Sequence, residues 1–326
     1  MRLSVLDQSP VPEGATAADA LANTIDLAQR AEAMGYHRYW VAEHPNTGGL
    51  AGSAPEVLIA AIAAGTKRIR VGSGGVMLSH YSPLKVAEAF QVLATLYPGR
   101  IDLGIGRAPG SDQITAYALA PTSRPVSVER YPNTVNDLLG YLRGELDPDS
   151  PFAGKVQATP RPPSQPHVWV LASSADSAAY AAHFGLPLGF AHFITVADGP
   201  AIADAYRQQY QPSLAHPEPE VLVAASLLCA ETEADAHRLA TSVQAWRSRG
   251  LQGPIPPPQE LPAPGPLGAV RTGRKAMIVG NPTQAAEQLR DLADAYGADE
   301  AMAVTITWDH EARVRSYELL AEVIGA

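Results

Sequence analysis

Tyr39-Trp40-Val41-Ala42-Glu43-His44-Pro45-Asn46 takes the chain from a bulky apolar run directly into a charged, titratable pair and a proline. Such a change is how a buried β-strand gives way to a loop. Before it, residues 17–34 place Leu21, Ile25, Leu27, Ala28, Ala31 and Met34 at helical spacing and stop at Gly35, a residue that can adopt the left-handed turn closing a helix. After it, Pro55 opens a second helix through Leu58, Ile59 and Ile62, because proline at a first helical position gives up only an N–H that would lack a partner there. An apolar run at 3–6, closed by Asp7-Gln8-Ser9-Pro10, supplies the strand in front of the first helix. Strand, helix, strand, helix in this order predicts parallel strands joined by crossover helices.

The alternation continues outward from that unit. Residues 69–78 read as a third strand interrupted by Gly72, Gly74 and Gly75, Pro83 starts a helix through Val86, Phe90 and Leu93, and 101–105 form a fourth strand. Residues 128–142 are helical in pattern, and a Pro-rich excursion at 147–166 precedes a strand at 167–171. A helix at 174–184, a strand at 186–190, a helix at 202–210, a strand at 221–229 and a helix at 234–249 follow. Residues 250–273 break the pattern, with seven prolines between Pro254 and Pro266. A helix at 282–296, a strand at 301–307 and a helix at 311–324 close the chain. Eight strands alternating with at least eight helices predict an α/β fold of the (β/α)8 TIM-barrel type. The expected domain is a single one, 1–326, with insertions at about 147–166 and 250–273. The second, after strand seven, is expected to be a mobile lid over the barrel mouth, since a long structureless loop in a compact domain is usually functional or disordered.

Composition narrows the function. The 326 residues carry a formal charge of -9, without the basic footprint that nucleic-acid binding needs. One cysteine, Cys229, sits in an apolar run, leaving no disulfide framework and no Cys-based metal site. The first apolar run is too short for a signal segment, and no later run reaches the length of a membrane span. A cytoplasmic location is therefore expected.

Chemistry belongs at the carboxyl ends of parallel strands, where a barrel opens its ligand crevice. Glu43 and His44 follow the second strand, and a histidine with its unperturbed pKa near 6.5 can give or take a proton at cellular pH. The segment Gly104-Ile105-Gly106-Arg107-Ala108-Pro109-Gly110 imitates a dinucleotide loop, but its third glycine comes one place late and Pro109 occupies the required position, so no nicotinamide fingerprint is read. Arg107 lies just past the fourth strand, where its guanidinium can hold a phosphate or pair with Asp102 or Asp112. Ser173-Ser174-Ala175-Asp176-Ser177 opens a helix and is either a phosphate site or a plain N-cap. Gly74 and Gly75 permit close backbone approach or a bulge. His192 and Phe193, after the sixth strand, are expected at the same rim.

Val41-Ala42-Glu43-His44, Val71 to Leu78, Pro98 to Asp112 and Gly185-Leu186-Pro187 together resemble the luciferase-like monooxygenase family, relatives of the bacterial luciferase α subunit. The resemblance covers almost the whole chain. It implies a (β/α)8 barrel, reduced FMN as co-substrate, O2 activation through a C4a-peroxyflavin, and a homodimer. It also implies that His44 matches the family's catalytic histidine, that Arg107 and Ser173-Ser174, with Ser177 in the same turn, match phosphate ligands of the flavin, and that the 74–75 bond matches a cis peptide beside the ring. The luciferase has a second histidine where this chain has Pro45, and a reactive cysteine where it has Gly106, so light emission is not inferred. The expected activity is a flavin-dependent monooxygenase acting on a small or polycyclic apolar substrate. His44 and Glu43 are its expected catalytic residues; Gly74, Gly75, Arg107, Ser173, Ser174 and Ser177 are its cofactor site. Without a nicotinamide fingerprint, reduced FMN should come from a separate flavin reductase. A deazaflavin (F420)-dependent dehydrogenase on the same fold and a non-catalytic flavin-binding subunit are the rival readings.

Overall fold

Local signals start and stop the elements. Thr16 caps helix α1 (Ala17–Ala33) in a capping box with Asp19, satisfying donors that the first turn leaves open. Helices α2 (Pro55–Gly65) and α3 (Pro83–Leu96) both open on proline. In the computed structural model, residues 1–107, 112–120, 126–127, 129–260 and 277–325 are described. Strands β1 (Arg2–Asp7), β2 (Arg38–Val41), β3 (Arg70–Met77), β4 (Ile101–Gly106), β5 (His167–Ala172), β6 (Leu188–Ala191) and β7 (Val221–Cys229) run parallel in that order, with one exception to simple succession. Of the last two strands, β8 (Met277–Gly280) and β9 (Glu300–Val304), it is β9 that pairs with both β7 and β1. With β6 also paired to β7, eight parallel strands close into a TIM barrel.

The remaining helices are α4 (Gln113–Leu119), α5 (Tyr131–Arg143), α6 (Ala175–His183), α7 (Gly199–Gln209), α8 (Glu233–Ser248), α9 (Pro282–Tyr296) and α10 (His310–Ile324). Two elements depart from the sequence reading. Strand β8 pairs only with Ser226–Cys229, the far end of the long β7, outside the closed ring. Helix α4 is a seven-residue insert held by Asp112, whose carboxylate accepts from the Ile114 and Thr115 amides.

The insertion after β7 divides in two. Residues 261–273 of the expected lid lie outside the described residues. The part at 250–260 is fixed rather than loose: Ile255 is buried against Leu50, Val243, Trp246 and Ile306. Its amide donates to the Val11 carbonyl at 2.8 Å, and its carbonyl accepts from the Glu13 amide at 2.7 Å.

Alternate residues of each strand point inward. At the amino-terminal end of the barrel this places charge: the buried Arg38 donates to Glu300 at 2.6 and 3.0 Å and to Asp102 at 2.9 Å. Its guanidinium also stacks on Trp169 and Trp40, 4.7 and 5.5 Å from the ring centroids. Burial would raise the Asp102 carboxyl, but Arg38 and Arg70 overcome it and hold the group below its usual range. Above this layer Leu6, Trp40, Trp169, Leu222, Ala224, Met302 and Val304 form an apolar plug. A cavity can therefore open only at the other end. Among the described residues no helix is long and apolar enough to cross a membrane.

Candidate active site

At the carboxyl ends of the strands lies a cavity of about 610 Å³, with the apolar plug as its floor. His44, Glu43, Gly74, Gly75, Arg107, Ser173, Ser174 and Ser177 all line it, so residues from four different strand ends meet in one space.

His44 is fixed through its backbone. Its amide donates to the Gly52 carbonyl at 2.7 Å, and its carbonyl accepts from the Thr47 hydroxyl at 3.1 Å. The imidazole is left to the cavity, and its Nδ1 is buried without a hydrogen-bond partner. Burial lowers its pKa to about 4, because low-polarity surroundings disfavour the imidazolium. Instead of a group poised near pH 6.5, His44 is a neutral imidazole at neutral pH, with one nitrogen free to accept and no second proton to give.

Glu43 does not orient His44 through a hydrogen bond. Its carboxylate accepts from the Met77 amide at 2.9 Å and from the Tyr81 hydroxyl. Burial raises its pKa, and these two bonds oppose the rise. The carboxylate thus ties the loop after β2 to the end of β3.

The Gly74–Gly75 peptide is cis, and the β3–β4 register shifts between Gly74 and Val76. A Cβ on Gly74 would stand 2.5 Å from Leu6 Cδ1, and one on Gly75 would stand 2.7 Å from the Gly104 carbonyl oxygen. The backbone contact means that the barrel's own packing demands glycine at 75 before any ligand is considered, whereas at 74 a Cβ would have to displace the end of the Leu6 side chain.

Arg107 does not pair with Asp102, which is taken by Arg38 and Arg70. Its nearest carboxylate is Asp176, 3.8 Å away and mostly exposed. The nitrogen that faces Asp176, Nη1, is buried and makes no hydrogen bond beyond this loose ion pair. Ser174 stands at the N-cap of α6, yet its side chain makes no cap bond. Its hydroxyl lies 3.5 Å from that of Ser177. The Ser174 hydroxyl therefore does not cap the first turn of α6, whose Asp176 side chain lies 3.8 Å from Arg107.

The two residues expected after β6 part company. Phe193 lines the cavity, whereas His192 is buried with Nδ1 3.0 Å from the Tyr296 hydroxyl. Sequence reading missed the wall contributed by Gln113, Ala116 and Tyr117 of α4 and by Ser79 and His80 of the 3-10 turn Leu78–His80. The Asp112 cap was the available signal for the first; nothing comparable marked the turn. Asn46 joins the wall to the histidine loop, donating to the Thr115 hydroxyl at 2.8 Å and to Asp112 at 3.3 Å.

A family model described as luciferase-like monooxygenase matches residues 1–299. The chain belongs to the luciferase-like monooxygenase family. A luciferase-like monooxygenase of Escherichia coli is 39% identical over 98% of this chain and 96% of its own length. The N-acetyl-S-alkylcysteine monooxygenase of Bacillus subtilis is 36% identical over 100% and 99%. Among solved structures, apo-MsnO8 is 41% identical, with a TM-score of 0.89 over 99% of this chain and 98% of that one. The fold is also that of the oxygenating constituent of 3,6-diketocamphane monooxygenase in complex with FMN, at 18% identity, TM-score 0.72 and coverage of 99% and 97%. It is shared equally by an F420-dependent secondary alcohol dehydrogenase, at 13% identity, TM-score 0.72 and coverage of 98% and 97%. Family membership and monooxygenase relatives make this chain an oxidoreductase, and the cavity is its candidate active site.

Proposed function

We propose that the protein is a monooxygenase that uses reduced FMN and O2 to oxygenate a neutral, largely apolar organic molecule. The observation that carries this reading is Arg107 Nη1, buried without a hydrogen bond and only loosely paired, at 3.8 Å, with the exposed Asp176, beside a helix N-terminus whose N-cap serine makes no cap bond. A buried guanidinium atom and a helix N-terminus together fit a phosphate dianion. A space of about 610 Å³ falls in the range of pockets that enclose a ligand of drug size. Reduced flavin, when bound, supplies the electrons that activate O2; the rest falls to the chain.

Arg107, Ser173, Ser174 and Ser177 hold the phosphate, and the Gly74–Gly75 backbone forms a smooth wall without side chains. His44, neutral at working pH, accepts a proton or hydrogen bond at the reacting end of the cavity. Glu43 keeps the His44 loop in register with β3. Leu171, Phe193, Ile194 and Met302 exclude water and receive an apolar substrate. Reduced FMN arrives from a separate reductase. A second copy of the chain covers Val57, Val92 and Leu96, which stand exposed on neighbouring α2 and α3; sedimentation as a monomer at micromolar concentration would remove that part.

The decisive experiment is an anaerobic titration with photoreduced FMN and with reduced F420, following quenching of the protein's tryptophan fluorescence, to which the cavity-lining Trp40 contributes. Saturation by reduced FMN and not by reduced F420 is expected. The reverse preference would install the dehydrogenase reading instead.

A further inference from the structure

The cavity wall divides by chemistry. From β6 through β7 and β9 to β1, strands that adjoin one another in the ring, it is lined by Phe193, Ile194, Leu222, Ala224, Met302 and Leu6. Among the described residues of that arc a single polar side chain stands in the wall, that of Gln8. Arg107 and the serine turn follow β4 and β5, across the ring from it.

Both neighbours of Gln8 are pinned. The Asp7 carboxylate accepts from the Arg313 guanidinium, from the Tyr39 hydroxyl and from the Ser9 amide. The Asp7 carbonyl accepts from the Ala42 amide at 2.9 Å, and the Ser9 carbonyl from the Ala51 amide at 2.8 Å. Backbone on either side of Gln8 is thus tied to β2 and the loop that follows it, while the side chain goes to the cavity. Among the described residues its carboxamide makes no hydrogen bond. Strand register sets it near His44. Leu6 pairs with Trp40 and Asp7 with Val41, so Gln8 comes level with Ala42, two residues before His44. Side chains alternate in direction along a strand, and Leu6 and Gln8 face the cavity together, as Trp40, Ala42 and His44 do.

A carboxamide carries a donor and an acceptor and no charge. A substrate that lays only hydrocarbon against it leaves both unpaired, and a site built to hydrogen-bond a polar group rejects the analogue that lacks it. A carboxylate offers acceptors alone and sets its charge against the Gln8 oxygen. The matching group is uncharged and both donates and accepts, as a carboxamide or a hydroxyl does. We propose that Gln8 is a specificity-determining residue that holds such a group of an otherwise apolar substrate beside His44. The assignment rests on the flavin-monooxygenase reading of the cavity and narrows its substrate class. The apolar remainder of the molecule lies along Phe193, Leu222 and Met302.

The test uses four probes that share an eight-carbon skeleton: octanamide, 1-octanol, 2-octanone and octanoate. Each is titrated calorimetrically into wild type and Gln8→Met, without flavin and after anaerobic addition of reduced FMN. Methionine keeps the length of the side chain and removes the amide. Wild type should bind octanamide or 1-octanol more tightly than 2-octanone and octanoate, and the better of the two identifies the group. Gln8→Met should bind that probe roughly three- to tenfold more weakly, the worth of an uncharged hydrogen bond, with 2-octanone binding not weakened and reduced FMN bound as by wild type. A wild type that binds none of the four, or ranks 2-octanone or octanoate with or above the other two, overturns the assignment without recourse to the variant. So does a variant that keeps the full preference, one that weakens for all probes alike, which marks a packing role, or one that loses FMN affinity, which sets Gln8 against the cofactor. A wild type that shows the preference but does not bind reduced FMN leaves Gln8 in place and overturns the flavin reading alone.

Discussion

His44 shows what a residue's surroundings add to its identity. Its place after β2 was legible, because an apolar run ending in Glu43-His44 marks a strand end. Its protonation state was not, because burial is a property of the folded cavity. With its pKa lowered to about 4, a base at this position is competent throughout the neutral range. Turnover limited by His44 should therefore be flat from about pH 6 to 8 and fall only toward pH 4. A limb near pH 6.5 in the rate profile would contradict this. Stability follows with its own sign. The folded pKa lies below the unfolded value near 6.5, so the unfolded chain takes the proton first as pH falls. The contribution is complete above pH 6.5 and is lost on descent toward pH 4. His44→Ala should bind reduced FMN as wild type does and lose turnover by roughly 10²–10⁴-fold, the usual worth of positioned acid–base catalysis. Full turnover in that variant, measured as O2 incorporated into product, would make the residue structural.

Elements carry the second level, and here Glu43 matters more as a tie than as a catalyst. Its carboxylate satisfies the buried Met77 amide and the Tyr81 hydroxyl, joining the ends of β2 and β3. Glu43→Ala leaves that amide unpaired and should cost about 1–3 kcal/mol, the penalty for an unsatisfied buried group. The check is a urea midpoint lowered at unchanged slope; an unshifted midpoint would show that the tie bears no weight. Long strands and helices were readable because their periodicity spans many residues. Helix α4 and strand β8 were not: a seven-residue helix and a four-residue strand give too few positions for a period to show. The fixed start of the insertion was hidden for another reason. Ile255 looks like one more residue of a proline-rich loop until Leu50, Trp246 and Ile306 are brought around it.

At the scale of the molecule, alternation of strands and helices announced a barrel, but its closure and inner layers depend on residues distant in sequence. Arg38, Asp102 and Glu300 meet at the closed end, and nothing local in the chain pairs them. That charged layer, with the apolar plug above it, confines ligands to the opposite mouth, where four strand ends deliver the candidate site. The proposed cofactor, reduced FMN, would be held at this mouth by its phosphate. The measurement that tests this most directly is an anaerobic fluorescence titration of wild type and Arg107→Ala with photoreduced FMN and reduced riboflavin. Wild type should prefer FMN by tenfold or more, and Arg107→Ala should lose about 1.5–3 kcal/mol of FMN binding with riboflavin unaffected. Equal affinities of wild type for the two flavins, or an Arg107→Ala variant that still prefers FMN to the full extent, would contradict it.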